Sequence, residues 1–112
     1  MHMIEAIIKP DKLAAVQAAL KGIGVSGLTA FDVKGYGRQM GETESYRGAK
    51  VEASFLPKVM IRTVVPEGTS SQVVDAITNA ARTGSVGDGK IFVYPVASVV
   101  RIRTGERDAD AL

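Results

Sequence analysis

Two stretches of the chain are alike: IIKPDKLAAVQAAL at residues 7–20 and VVPEGTSSQVVDAI at residues 64–77. Each begins at the end of an apolar run that is typical of a strand, passes a proline and continues into an amphipathic pattern. In the first stretch, Leu13, Val16 and Leu20 recur at the spacing of one helix face. Proline ends each strand because it lacks the N–H group that a strand ladder requires. The repetition predicts two units, each a strand followed by a helix.

The rest of the chain adds two strands to these units. Strand patterns, rich in β-branched or aromatic residues, are predicted over residues 3–9, 25–33, 55–56 with 59–65, and 91–96. The predicted order is β-α-β-β-α-β, which is the ferredoxin-like arrangement of a single α+β domain covering residues 1–112. Such a domain has an antiparallel sheet with both helices on one face.

The first strand is apolar on both of its faces. Ile4, Ala6 and Ile8 lie on one face, and Met3 and Ile7 lie on the other, because side chains alternate along a strand. The helices cover only one face of the sheet. We therefore expect self-association to cover the second face.

The connection between the second and third strands is unusually long. An antiparallel hairpin needs about two to five residues. Here a segment of about residues 37–55 intervenes, and it is rich in glycine and polar residues. A loop of that length in so small a domain is usually either functional or disordered, and we favour function. A basic, polar segment of about residues 97–112 follows the last strand.

Composition excludes several classes of function. The chain has no cysteine and one histidine, His2, so disulfides, thiolate metal sites, multi-histidine metal sites and histidine base catalysis are excluded. Aromatic residues make up 5%, which argues against an RNA-binding sheet that stacks bases. The net charge of +2 is too small to indicate nucleic acid by itself. The sequence shows no signal peptide and no apolar run near the roughly 20 residues that span a membrane, so we expect a cytoplasmic protein.

Two glycine clusters are candidates for an anion site. GYGRQMG occupies residues 35–41 and GSVGDGK occupies residues 84–90. Glycine lets backbone N–H groups approach an anion closely. Arg101 and Arg103 alternate across Ile102, and a strand there would place both guanidinium groups on one side, where they suit a polyphosphate. Plain turns and a solvated edge remain the alternatives, and neither cluster matches the P-loop.

Specific motifs connect these features along the whole chain. They are IEAIIKP at residues 4–10, VKGYGRQ at 33–39, TE at 43–44, YRGA at 46–49, FLPKV at 55–59, AARTGSVGDGKIFV at 80–93 and VVRIRTGERDADAL at 99–112. In these motifs the chain closely resembles the PII signal-transduction family.

The resemblance implies a homotrimer with a nucleotide site in each cleft between subunits, where ATP and ADP compete. The residues implied from one subunit are Ile7, Gly35, Tyr36, Gly37, Arg38, Gln39, Val64, Gly87, Asp88, Gly89 and Lys90. The residues implied from its neighbour are Gly27, Leu28, Thr29, Arg101 and Arg103.

The resemblance also implies a site for 2-oxoglutarate beside ATP. Its residues are Gln39, Gly41, Lys58 and Gly87, and Gln39 helps to hold a Mg2+ ion. The long loop is then the effector loop, and Tyr46 and Arg47 contact partner proteins such as an ammonium transporter or metabolic enzymes. The protein would reach a membrane only through such a partner, and it would regulate rather than catalyse.

The effector loop departs from the family pattern. Val51 stands where many members carry a tyrosine that is nucleotidylylated, and Ala49 stands where some members carry a phosphorylated serine. Met40 and Lys50 replace the usual lysine and glutamate. We therefore expect no covalent modification at the usual place. A related protein that senses adenine nucleotides alone with a different partner, or a weak ATPase, remains an alternative.

Overall fold

The computed structural model describes residues 1–37, 45–46, 49–50 and 55–112. The long strands are β1 (His2–Ile8), β2 (Thr29–Gly35), β5 (Leu56–Val65) and β6 (Gly89–Pro95), and the helices are α1 (Leu13–Gly22) and α2 (Ser70–Ala81). Two short strands, β3 (Ser45–Tyr46) and β4 (Ala49–Lys50), pair within the effector loop. In the part of the chain that the structure describes, no helix is long and apolar enough to cross a membrane.

The four long strands form one antiparallel sheet in the order β2-β5-β1-β6. β1 is central and pairs on both sides, so that Glu5 lies opposite Arg62 of β5 and Phe92 of β6. The element order and the sheet confirm the predicted ferredoxin-like fold.

Each strand enters its helix through a short 3-10 turn, Pro10–Lys12 before α1 and Glu67–Thr69 before α2. The backbone N–H of Lys12 donates to the carbonyl of Lys9 at 3.0 Å, in the way that Thr69 donates to Pro66 at 3.0 Å. The two stretches of sequence are alike because each forms the same turn between a strand and a helix.

The core lies between the sheet and the two helices. Its side chains alternate along β1 and β5 and recur on one face of each helix, as the two periodicities predict. The buried apolar residues are Ile4, Ala6, Ile8, Val16, Leu20, Val59, Ile61, Val65, Val73, Ile77 and Ala81. At the rim of this core, the His2 ring lies 2.6 Å from the Ser70 hydroxyl and ties the start of β1 to the start of α2.

The opposite side of the sheet, which we call the open face, carries none of the described helices. The strand register places the following side chains on it: Met3, Glu5, Ile7, Phe31, Lys58, Met60, Arg62, Val64, Lys90, Phe92 and Tyr94. Phe31 is 38% exposed and Phe92 is 44% exposed in the single chain. The open face is thus apolar in large part, as predicted, but it also carries charges.

Two strand boundaries differ from the sequence prediction. β2 begins at Thr29 rather than at Val25, because the backbone N–H of Val25 still donates to the carbonyl of Leu20 at the end of α1. β5 runs through Pro57 without a break. The predicted third strand was therefore split where the structure has one continuous strand.

Adjacent valines on α2 offer a matched test of the core. Val73 is 1% exposed, whereas Val74 is only partly buried. We expect Val73→Ala to lower the free energy of unfolding by about 2 kcal/mol, from lost burial and a cavity, and Val74→Ala to lower it by less than half as much. Both changes alter helix propensity equally. Urea denaturation measures the difference, and equal losses would contradict the assignment of the buried face.

Candidate functional site

The loop between α2 and β6 is built around the carboxylate of Asp88. This carboxylate accepts hydrogen bonds from the backbone N–H groups of Thr83 and Gly84, both at 2.8 Å, and from the hydroxyl of Thr83. Because one side chain satisfies three donors of its own loop, the loop is held in a single shape.

Lys9 fastens this loop to the end of β1. Its ammonium lies 3.2 Å from Asp88 Oδ1 and donates to the hydroxyls of Thr83 at 3.2 Å and Ser85 at 3.3 Å. The side chains of Lys9 and Asp88 are 23% and 22% exposed, so this ion pair is partly screened from water. Lys9 was not among the residues predicted to form the site.

These contacts change the pKa of the Asp88 carboxyl. Hydrogen bonds from the Thr83 hydroxyl and the Thr83 backbone N–H hold the pKa of the Asp88 carboxyl well below its usual range. The carboxylate therefore stays charged and engaged within the loop. In this structure the Asp88 side chain shapes the backbone of its own loop, and its predicted contact with a nucleotide stays a prediction.

Gly89 closes the loop where it meets β1. Its φ is +106°, and a Cβ at this position would lie 1.7 Å from the carbonyl oxygen of Ile7. Only glycine fits such a close approach of two backbones. The strand pair β1–β6 and the loop therefore share one rigid joint.

A cavity of about 530 Å³ opens on the open face beside this joint. We call it the loop half-site. Its lining residues are Ile7, Gly35, Tyr36, Gly37, Leu56, Lys58, Val86, Gly87, Gly89, Lys90 and Phe92. Both predicted glycine clusters therefore contribute to one cavity, together with two lysines. Leu56, Val86 and Phe92 were not predicted, since nothing in their local sequence distinguishes them from core residues.

The Lys58 side chain extends from β5 across this half-site. Its ammonium donates to the carbonyl of Gly87 at 2.8 Å, and its side-chain carbons lie against Gly35, where a Cβ would come within 2.9 Å of Lys58 Cγ. One side chain thus touches both the loop and the end of β2, from which the effector loop departs.

A second cavity, of about 410 Å³, lies at the other end of β1 and is called the strand half-site. Its lining residues are Met3, Gly27, Leu28, Thr29, Phe31, Arg62, Thr63 and Val64. The hydroxyl of Thr63 donates to the carbonyl of Gly27 at 2.7 Å, which fixes the segment that leads into β2. Gly27, Leu28 and Thr29, which the resemblance assigns to the nucleotide site, all line this cavity.

The part of the C-terminal segment that holds both arginines, residues 101–106, is a turn and not a strand. The backbone N–H of Gly105 donates to the carbonyl of Arg101 at 2.7 Å, and that of Arg101 donates to Glu106 at 2.8 Å. The expectation that Arg101 and Arg103 share one side of a strand is therefore wrong. Arg101 also pairs with Glu106 at 2.7 Å, and Ile102 between the two arginines is 98% exposed.

The C-terminal segment lies next to the strand half-site. Arg101 donates to the carbonyl of Leu112 at 3.4 Å, and Leu112 lines a neighbouring cavity together with Gly27 and Val64. This arrangement agrees with the grouping of the tail arginines and Gly27 on one subunit.

The two half-sites do not meet within one chain. Ile7 lines one and Met3 lines the other, and these side chains are four strand positions, or about 13 Å, apart. Ile7 and Val64 were both predicted to lie near an adenine, but they line different cavities. A ligand shorter than about 13 Å therefore contacts both sets of residues only where two copies of the chain bring them together.

Comparison with proteins of known class identifies the family of this chain. The model of the family "Nitrogen regulatory protein P-II" matches residues 1–106. The nitrogen regulatory protein P-II of Synechocystis sp. and the protein P-II 1 of Escherichia coli are each 54% identical to this chain over 112 residues, with full coverage of both chains. The chain belongs to the P-II family.

A solved structure agrees with this assignment. The crystal structure of Arabidopsis thaliana PII bound to citrate matches with a TM-score of 0.82 and 40% identity, and covers 99% of this chain and 91% of that chain. As a P-II protein, this chain is a signal-transduction protein that regulates nitrogen metabolism and not an enzyme.

Several residues assigned from the P-II resemblance lie outside the described part of the structure: Arg38, Gln39, Met40, Gly41, Arg47 and Val51. Tyr46 is described only as a member of β3. Their assigned roles remain predictions.

Substitutions of two glycines test whether the joint between β1 and the loop after α2 is rigid. We expect Gly89→Ala to destabilise the protein by more than about 3 kcal/mol, because a positive φ costs about 1–2 kcal/mol and the overlap with Ile7 forces the backbone to shift. Gly84 also has a positive φ, of +88°, but open space around it, so Gly84→Ala should cost about 1–2 kcal/mol only. Chemical denaturation compares the two, and an equal cost would show that the overlap is relieved without strain.

The Asp88 carboxylate predicts an unusual pH response of the loop. A lowered pKa means that its stabilisation is present above the unfolded value of about 3.9 and is lost only as pH falls through the lower folded value. The amide resonances of Thr83 and Gly84 should therefore keep their pH 7 positions at about pH 4. In Asp88→Asn they should be displaced already at pH 7. A titration midpoint near pH 4 in the unaltered protein would contradict the loop geometry.

Proposed function

We propose that this P-II protein binds ATP and ADP in clefts between the copies of a homotrimer, and binds 2-oxoglutarate with Mg2+ beside ATP. The bound ligands then set the conformation of the effector loop, which contacts nitrogen-metabolism proteins in the cytoplasm, an ammonium transporter or metabolic enzymes among them. The functional unit is a single domain of residues 1–112.

One observation carries the proposal: among the described residues, each chain presents two complementary half-sites at opposite ends of β1. The loop half-site offers glycine backbone and Lys90, which suit phosphates. The strand half-site offers Thr29 and Val64, which suit one face and one edge of a purine, and Arg103 on the adjacent tail adds a further cation. Together the two halves have the polarity of an adenine nucleotide.

Lys58 supports a site for a dicarboxylate. Its ammonium reaches into the loop half-site, and in the free chain it is held by the Gly87 carbonyl. A neutral carbonyl is a weaker partner than a carboxylate, so 2-oxoglutarate would displace it. Mg2+ supplies a hard cation that links oxygen ligands of the metabolite and the phosphates, and Gln39 would hold it from outside the described residues.

Control of the effector loop follows from ligands alone in this proposal. Nucleotidyl transfer to a side chain requires a nucleophile such as a phenol, and Val51 has none at the usual position. A ligand shifts a loop only by its difference in affinity for the two conformations. The displacement of Lys58 from Gly87 supplies such a difference, because Lys58 also touches Gly35 at the root of the effector loop.

Calorimetry of the protein and of one tail variant tests the proposal. ATP and ADP should bind competitively, and 2-oxoglutarate should bind only with ATP and Mg2+ present. Arg103→Ala should weaken ATP by about 10- to 100-fold, since one charge-assisted contact contributes about 1.5–3 kcal/mol. Arg107→Ala, which removes the same charge from the same tail, is the matched control.

The outcomes separate the possible functions. Absence of ATP binding would refute the proposal as a whole. ATP binding without any effect of 2-oxoglutarate would favour a P-II protein that senses adenine nucleotides alone. If Arg103→Ala binds ATP as tightly as the unaltered protein does, the C-terminal segment is not part of the site. Steady hydrolysis of the bound ATP would support the weak ATPase.

A further inference from the structure

Three polar side chains meet at the centre of the open face. Glu5 lies on β1, Arg62 on β5 and Tyr94 on β6. The Tyr94 hydroxyl donates to Glu5 Oε2 at 2.9 Å, and Arg62 Nη2 donates to the Tyr94 hydroxyl at 3.2 Å. Arg62 Nε lies 3.1 Å from the same Glu5 oxygen. These three residues, here the Glu5–Arg62–Tyr94 cluster, form a closed triangle.

The cluster is electrically neutral within one chain. The Arg62 Nε atom is buried, and its N–H is not aligned for a hydrogen bond, so its short distance to Glu5 is an attraction of charges. The Glu5 side chain is 21% exposed and that of Arg62 is 38% exposed. Both are thus already partly withdrawn from water by the sheet itself.

Apolar side chains flank the cluster along both central strands. Met3 and Ile7 lie on either side of Glu5 on β1, and Met60 and Val64 lie on either side of Arg62 on β5. Contact of this surface with another apolar surface would bury the two charges in a setting of low polarity. Burial of an ion pair is tolerated when both charges are present and is costly when one is missing.

A second copy of the chain is the occupant that fits this face. The loop half-site lies at the Ile7 end of the face and the strand half-site lies at the Met3 end. Copies that complete both pockets must therefore cover the region between them, where the cluster lies. This step rests on the proposed function, because it takes the two half-sites as parts of one nucleotide pocket.

We propose that the Glu5–Arg62–Tyr94 cluster controls assembly: it is buried between copies of the chain, and it permits association because each copy cancels its own charge. The apolar part of the face supplies the attraction. The cluster determines whether copies associate, since any copy that carries one of the two charges alone brings an uncompensated charge into the interface.

Charge reversal and its reciprocal exchange test this role. Arg62→Glu places two carboxylates together in each copy, and we expect the concentration of half-assembly to rise by about a hundredfold or more. The double variant Glu5→Arg with Arg62→Glu restores neutrality and should assemble within about tenfold of the unaltered protein. Lys21→Glu makes the same charge change on an exposed position of α1 and should leave assembly unchanged.

Sedimentation across a range of protein concentrations, without nucleotide, measures these effects. Omission of nucleotide matters because Arg62 also lines the strand half-site. Circular dichroism verifies that each variant is folded. Should Arg62→Glu fail to fold, Arg62→Met leaves Glu5 alone and should weaken assembly, whereas Glu5→Met with Arg62→Met should assemble as well as the unaltered protein.

Results that overturn this inference can be distinguished from results that refute the proposed function. Assembly of folded Arg62→Glu, or of folded Arg62→Met, at the concentration of the Lys21→Glu control would overturn the inference alone. A double variant that does not recover would also overturn it, since neutrality would then not be the deciding property. A stable monomer of the unaltered protein at micromolar concentration would sink the inference together with the trimeric nucleotide site.

Discussion

The pairing of β1 on both sides is the constraint on which the rest of this structure depends. Because β1 is central, its alternate side chains are committed either to the core or to the open face. Met3, Glu5 and Ile7 then mark three successive places on that face: one half-site, the charged cluster and the other half-site. The distances between the two half-sites and the cluster are therefore set by the rise per residue of β1.

The same strand connects the proposed ligand sites to the start of the long loop. β1 holds the loop after α2 through Lys9 and Gly89, and β5 brings Lys58 between that loop and the end of β2. The proposed dicarboxylate site thus sits on packed strands, and the long loop begins directly after Gly35.

The sequence predicted the fold well where the information was local. Alternation of Ile4 and Ile8 with Met3 and Ile7 indicated both faces of β1, and the repeated strand, proline and helix indicated the order. The glycine clusters predicted one anion site, and the structure brings both to one cavity.

Features decided by distant residues escaped sequence analysis. The attachment of the Asp88 loop to β1 depends on Lys9, at the other end of the chain. The turn at Arg101 is local, and it was missed because arginines that alternate around Ile102 also fit a strand. The separation of Ile7 from Val64 follows from strand register, which a list of motifs does not contain.

The proposed division of the pocket between chains would have a genetic consequence. In mixed assemblies, a subunit with a defective loop half-site and another with a defective C-terminal segment would together form one intact site, so two recessive alleles would complement each other.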